Sequence, residues 1–138
     1  MGQQQLLLIV LGVIIVGIAV VVGINLFNAN AEESTKDTMV SEGINLGAMC
    51  QQYYKKPIAL GGGGNSFDGF NNGTTSTLPS GLLDTPAADW ALGPGIATGT
   101  LFTFTGTPKD DGYAANWHVY VTVGFTAAGD TLGASVGP

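Results

Sequence analysis

The reading starts from LLLIVLGVIIVGIAVVVGI, Leu6 to Ile24. These nineteen residues are Leu, Ile, Val, Ala and Gly only, and fifteen are Leu, Ile or Val. As a helix they span about 28 Å, close to the ~30 Å hydrocarbon core of a bilayer. At about −0.3 to −0.6 kcal/mol for each large apolar residue, insertion is favoured by roughly 5–9 kcal/mol. Asn25 to Phe27 complete the span. With no polar face, such a helix is more than a core of this size can cover. A second reading comes from Ala29-Asn30-Ala31, which resembles the small-residue site where a secretory signal is cut. The apolar run is longer than the ~7–15 residues of such signals, and no Lys or Arg precedes it. Both points favour a retained helix.

The whole chain of 138 residues is of single-domain size. Fourteen residues are charged, ten acidic and four Lys, with no Arg, and all fourteen lie in 32–138. The net charge of −6 and the lack of clustered bases exclude a basic nucleic-acid interface. One cysteine, Cys50, excludes an internal disulfide framework. At 45% hydrophobic, the chain has material for a packed core.

Ala29 to Lys56 has the spacing of an amphipathic helix. Met39, Leu46 and Tyr53 recur every seven residues, as do Val40, Gly47 and Tyr54, with Gly43 and Cys50 between them on the same side. Met39, Gly43, Leu46, Gly47, Cys50 and Tyr53 are therefore the expected helix–sheet packing residues. Early acids and the terminal Lys55 and Lys56 suit the helix dipole, and Pro57 ends the element. Gly43-x-x-x-Gly47 predicts close backbone approach to a sheet or a neighbouring helix; a loosened turn is the other reading. Together the two segments predict one helix of about fifty residues, near 75 Å.

Beyond Pro57 the pattern changes to strand and loop. Leu60 to Gly73, with Gly61 to Gly64 in a row, predicts an exposed loop. Pro79, Pro86 and Pro94 break up Leu78 to Pro94. Thr98 to Gly106 and Asn116 to Thr126 alternate as half-buried antiparallel strands, linked through the turn-forming Thr107 to Gly112. In Asn116 to Thr126, Trp117, Val119, Val121, Val123 and Phe125 share one face. The tail, 127–138, is expected as a short edge strand or a loosely packed end. The organisation is then an apolar helix at 1–27, its amphipathic continuation at 28–56, a Gly/Pro-rich loop region at 57–97 and an antiparallel sheet region at 98–138. The fold class is α+β, a long N-terminal helix packed on a small sheet.

Residues for catalysis are scarce. His118 and Cys50 lack the partners of a nucleophile–base pair or zinc site, so no enzyme, cofactor or metal is expected. His118 reads as a strand-face residue and Cys50 as a small buried hydrophobe. Asp68-Gly69-Phe70-Asn71 and Asp110-Asp111 offer oxygens to Ca²⁺ without matching an EF-hand loop, and turn polarity explains both. Asn72-Gly73-Thr74 fits the glycosylation acceptor pattern at Asn72. The twelve aromatics read as core and packing residues.

An apolar helix that becomes amphipathic, then a Gly-rich loop, then an antiparallel sheet resembles the layout of type IV pilins and pseudopilins. The resemblance covers the whole chain in layout, and its motif match is confined to the first 25 residues. It implies a subunit held in the inner membrane and then packed with copies of itself into a helical homopolymer by pilus assembly machinery. The localisation implied is an extracellular filament at the cell surface, with a membrane-anchored pool. On that reading Gln3, Gln4, Gln5, Leu8, Leu11, Ile15, Ile18, Val22 and Phe27 serve assembly. The chain departs from the family pattern in three ways. No basic leader is present. The glutamate near the mature N-terminus is replaced by Gln5, or by Leu7 if the chain is cut after Gly2. The helix-breaking proline of the apolar segment is missing. A minor pseudopilin, or a single-pass envelope protein with an external β domain, is the alternative.

Overall fold

The computed structural model describes residues 2–67, 80–92, 100–109, 117–126 and 129–138. The fold is α+β. Helix α1 runs Gly2–Lys55, a single 3-10 turn follows at Ile58–Leu60, and a short helix α2 covers Ser80–Leu83. The strands are β1 (Ala88–Leu92), β2 (Leu101–Pro108), β3 (His118–Thr126) and β4 (Gly129–Gly137). The chain divides into two compact units, Met1–Ser34 and Thr35–Pro138.

The first unit is helical, and its side chains from residue 2 to residue 30 are all exposed. Its large apolar residues keep from 50% (Leu11) to 73% (Phe27) of their surface. An 18-residue window of mean hydropathy 3.3 makes this a candidate membrane span by length and composition.

The second unit is a two-layer domain. An antiparallel meander in the order β1-β2-β3-β4 has one face covered by residues 35–55 of α1. The expected alternation explains which face. Phe102 and Phe104 of β2, Trp117 just before β3, and Val119, Val121, Val123 and Phe125 along β3 are buried. Thr103, Thr105, Tyr120 and Thr122 on the opposite face are half-buried.

One stretch differs from expectation, and the tail takes the edge-strand alternative at greater length than expected. The proline-broken stretch within 57–97 contains α2 and the five-residue strand β1, which pairs Trp90 with Gly106. Pro86 lies just outside that strand, so it removes no ladder hydrogen bond. The tail forms a nine-residue strand paired with β3 along its whole length, from His118↔Gly137 to Thr126↔Gly129. Leu132 and Ala134 of this strand pack against the core, which gives the tail an apolar reason to dock.

Helix and sheet meet at two glycines. A Cβ on Gly43 would lie 2.7 Å from Val121 Cγ2 and 2.8 Å from Trp90 Cη2. A Cβ on Gly47 would meet Leu132 Cδ1 and lie 3.4 Å from Val123 Cγ2. Trp90 also covers Gly106, its cross-strand partner, whose added Cβ would stand 2.6 Å from Cζ3. One indole therefore fills the space that two glycines leave open. Farther along, Tyr54 stacks on Phe125 with centroids 3.9 Å apart and ring planes 3° from parallel, and Phe67 closes the cluster 4.9 Å from Tyr54.

The run Gly61 to Gly64, expected as an exposed loop, caps the helix. The last carbonyls of an α-helix have no partner within it. Here Gly63 N–H donates to Tyr53 O, Asn65 N–H to Tyr54 O and Gly64 N–H to Lys56 O, each at 2.9 Å. The tight return needs left-handed backbone at Gly61 (φ 79°) and Gly64 (φ 56°), which glycine adopts without strain. It delivers Phe67 into the core.

The approach at Gly43 and Gly47 yields a prediction. Gly43→Val or Gly47→Val should lower the stability of the second unit by about 1–3 kcal/mol through overpacking. Thermal unfolding followed by near-ultraviolet circular dichroism reads the loss. Gly12→Ala, where an added Cβ meets nothing within 4 Å among the described residues beyond the adjoining helix, should leave that transition in place.

Candidate assembly surface

The most unusual surface is the apolar face of α1 in the first unit. A helix advances about 100° per residue, so residues at i, i+4, i+7 and i+11 share a row. Gln4, Leu8, Leu11, Ile15, Ile18 and Val22 fall in one such row, within an arc of about 80°. Phe27 lies on another side of the helix, about 140° from the row's centre. Gln3 and Gln5 flank Gln4 at about 100° on either side, so the three amides point three ways.

A second row carries Gln5, Gly12, Ala19, Gly23 and Asn30, separated by seven, seven, four and seven residues. It places small residues between two amides, beside the Leu/Ile row. Reading the run by its hydrophobicity alone missed this row; its spacing is the signal that reveals it. Small residues let helix backbones approach closely where no water drives association. Among the described residues, nothing beyond the adjoining helix lies within 4 Å of a Cβ placed on Gly12, Gly17 or Gly23.

In the second unit, Met39, Gly43, Leu46, Gly47 and Cys50 are buried, and Tyr53 packs half-buried at the margin of the core. Tyr54 is the fully packed tyrosine, one place further on, in the row of Val40 and Gly47. Burial pushes the Cys50 thiol, which lies outside the apolar segment, up to about 12.

The polar contacts of this unit hold it together. Thr85 Oγ1 lies 2.7 Å from Glu42 Oε2 and accepts a hydrogen bond from Ala88 N–H at 3.1 Å, linking α1 to the start of β1. Lys109 Nζ pairs with Asp84 and lies 3.4 Å from Asp89, across β1 and β2. The hydrogen bond to Asp84 raises its pKa, so the ammonium stays charged. Lys55 Nζ is 2.7 Å from Asp130, and Lys36 Nζ sits 5.4 Å from the centre of the Trp117 ring. These partners are far apart in sequence, and no local spacing announces them.

His118 is half-buried, with its ring edge-on to Tyr120 at 6.3 Å. Its Nδ1 has no hydrogen-bond partner among the described residues. Among the described residues, no three His, Cys, Asp or Glu side chains gather as metal ligands. Asp68-Gly69-Phe70-Asn71, Asn72 and Asp110-Asp111 lie outside the described residues.

No protein-family model, curated protein or solved structure matches this chain. The class that the fold defines is therefore a broad one: an α+β protein with an N-terminal apolar helix suited to a membrane and a small antiparallel β domain.

The burial of Cys50 gives a second prediction. In native protein at pH 8, an aromatic disulfide reagent should leave Cys50 unmodified over hours, because the thiol is both covered and protonated. In denaturant, one thiol per chain should react within minutes.

Proposed function

We propose that this chain is the structural subunit of a type IV pilus-like helical filament, assembled by packing its apolar N-terminal helices. The observation that carries this reading is the all-round apolar surface of Leu6 to Phe27, each large side chain at least half exposed. Such a surface needs lipid or other apolar helices around it. A membrane supplies the first before assembly, and copies of the same helix supply the second afterwards. The row Gly12, Ala19 and Gly23 gives those copies a line of close approach, and Gln5 and Asn30 offer hydrogen bonds at its ends. The three glutamines stand in the region where the resembling family carries a charge. A buried charge pair contributes little net stability, so neutral amides are a workable replacement.

Electron microscopy of material sheared from cells tests the proposal. Fibres containing this chain are expected. Recovery solely in detergent-extracted membranes would overturn it in favour of a single-pass anchored protein. Val16→Asp should abolish fibres, since a carboxylate at a helix centre costs about 3 kcal/mol in an apolar surround and every copy repeats the cost. The β domain of that variant should unfold at the parent temperature, which separates lost assembly from lost folding.

A further inference from the structure

The two edges of the sheet are built differently. Phe125 N–H donates to Thr100 O at 2.8 Å, so the backbone of Phe125 points toward β2. Peptide groups alternate sides along a strand, so those of Gly124, Thr122 and Tyr120 point toward β4. Their partners Thr131, Gly133 and Ser135 point back. The N–H and C=O groups of Leu132, Ala134 and Val136 therefore face outward, and among the described residues no strand pairs with them. The same alternation turns the backbone of Ala88 outward at the β1 edge. There Thr85 takes both groups: its Oγ1 accepts from Ala88 N–H at 3.1 Å, and its N–H donates to Ala88 O at 3.0 Å. Sheet edges are ordinarily guarded by shortness, lysine, proline or a bulge. Strand β1 has five residues and the Thr85 cover. Strand β4 has nine residues in unbroken register, with no Lys and no Pro, and its one charge, Asp130, is paired with Lys55.

We propose that the β4 edge binds β4 of a second copy of this chain, antiparallel about a two-fold axis through Ala134. The inference goes beyond the filament reading and does not rest on it. The occupant follows from the side chains. On the side facing α1, β4 presents Leu132 and Ala134, both half-buried, and Val136, which keeps 44% of its surface. The stripe runs large, small, large from either end. A two-fold axis therefore sets Leu132 against Val136 of the second copy and Ala134 against its own equivalent. These same residues carry the outward backbone groups, so side chains and hydrogen bonds select one register. A slip of one residue would set those groups against groups already bonded to β3. Each copy has one such edge, so the contact closes at two copies. Helix α1 lies over β3, with Gly43 at Val121 and Gly47 at Val123. The two β3 strands would stand three spacings apart, about 14 Å, which leaves room for two helices about 10–12 Å across. Residues 35–55 of the two copies then run antiparallel, whereas neighbours in one filament run parallel. The contact therefore joins copies from separate filaments.

The test uses the full chain in detergent, carrying Val16→Asp so that packing of the apolar helices does not contribute. Gly133→Cys and Ser135→Cys are made as separate variants, both at exposed positions on the face away from α1. In the proposed register they face each other as a pair without hydrogen bonds, with Cα atoms about 4.5 Å apart, within reach of a disulfide. Under mild oxidation an equimolar mixture should yield the mixed disulfide. Either variant alone should yield little, because its cysteine then faces a residue without a thiol. The buried Cys50 stays out of the exchange. Val136→Lys should weaken pairing about tenfold in sedimentation equilibrium, by placing a charge on the joined edge, and leave the unfolding temperature in place. Ala134→Pro, which removes an outward N–H, should weaken it as well. A mixture without the mixed disulfide, or single variants that cross-link as well as the mixture, would overturn the pairing and leave the filament reading standing. Because Val16→Asp is present throughout, absence of fibres from cells would overturn the filament reading and leave this result unchanged.

Discussion

The second unit depends on how closely α1 can approach its sheet. At Gly43 and Gly47 the helix presents backbone, and Val121, Val123 and Leu132 press into the space where side chains would stand. Trp90 then fills the remaining volume between α1 and Gly106. Because protein interiors are close-packed, this distance sets everything around it. Met39 and Cys50 are wholly buried, and Tyr54 lies flat on Phe125. A side chain at either glycine would lift the helix from the strands and loosen all of these contacts together.

The first unit obeys a different constraint. Its helix satisfies its own backbone hydrogen bonds, and its side chains face outward in every direction. Water is a poor solvent for that surface, and by length and composition it suits a membrane. The β domain carries ion pairs on its surface, an aromatic core and a capped helix end. Division of the chain at Ser34 follows the chemistry, with charged residues starting at Glu32.

Much of the architecture was legible in the residues. Fifteen large aliphatics in nineteen positions specify an apolar helix, since few other elements satisfy a backbone in that setting. The period of seven through Met39, Leu46 and Tyr53 marked the side of α1 that meets the sheet. The alternation from Trp117 to Phe125 marked the buried face of β3. Where periodicity was short or absent, the reading fell behind. Five residues of β1 between prolines are too few for a pattern, and β4, with three glycines in nine residues, has little strand propensity of its own. Its place was decided by its partner β3.

By itself, then, the sequence determined the apolar span, the class of fold and the two central strands, because each is written in a local period that solvent enforces. Tertiary structure alone decided the other features. It showed that Gly61 to Gly64 cap α1, that Gly43 and Gly47 face strands and not a neighbouring helix, and that Tyr54 outranks Tyr53 in the core. It also brought Lys55 to Asp130 and Lys109 to Asp84. The reason is physical: these are contacts between residues distant in the chain, and only the closing of helix onto sheet brings them within reach.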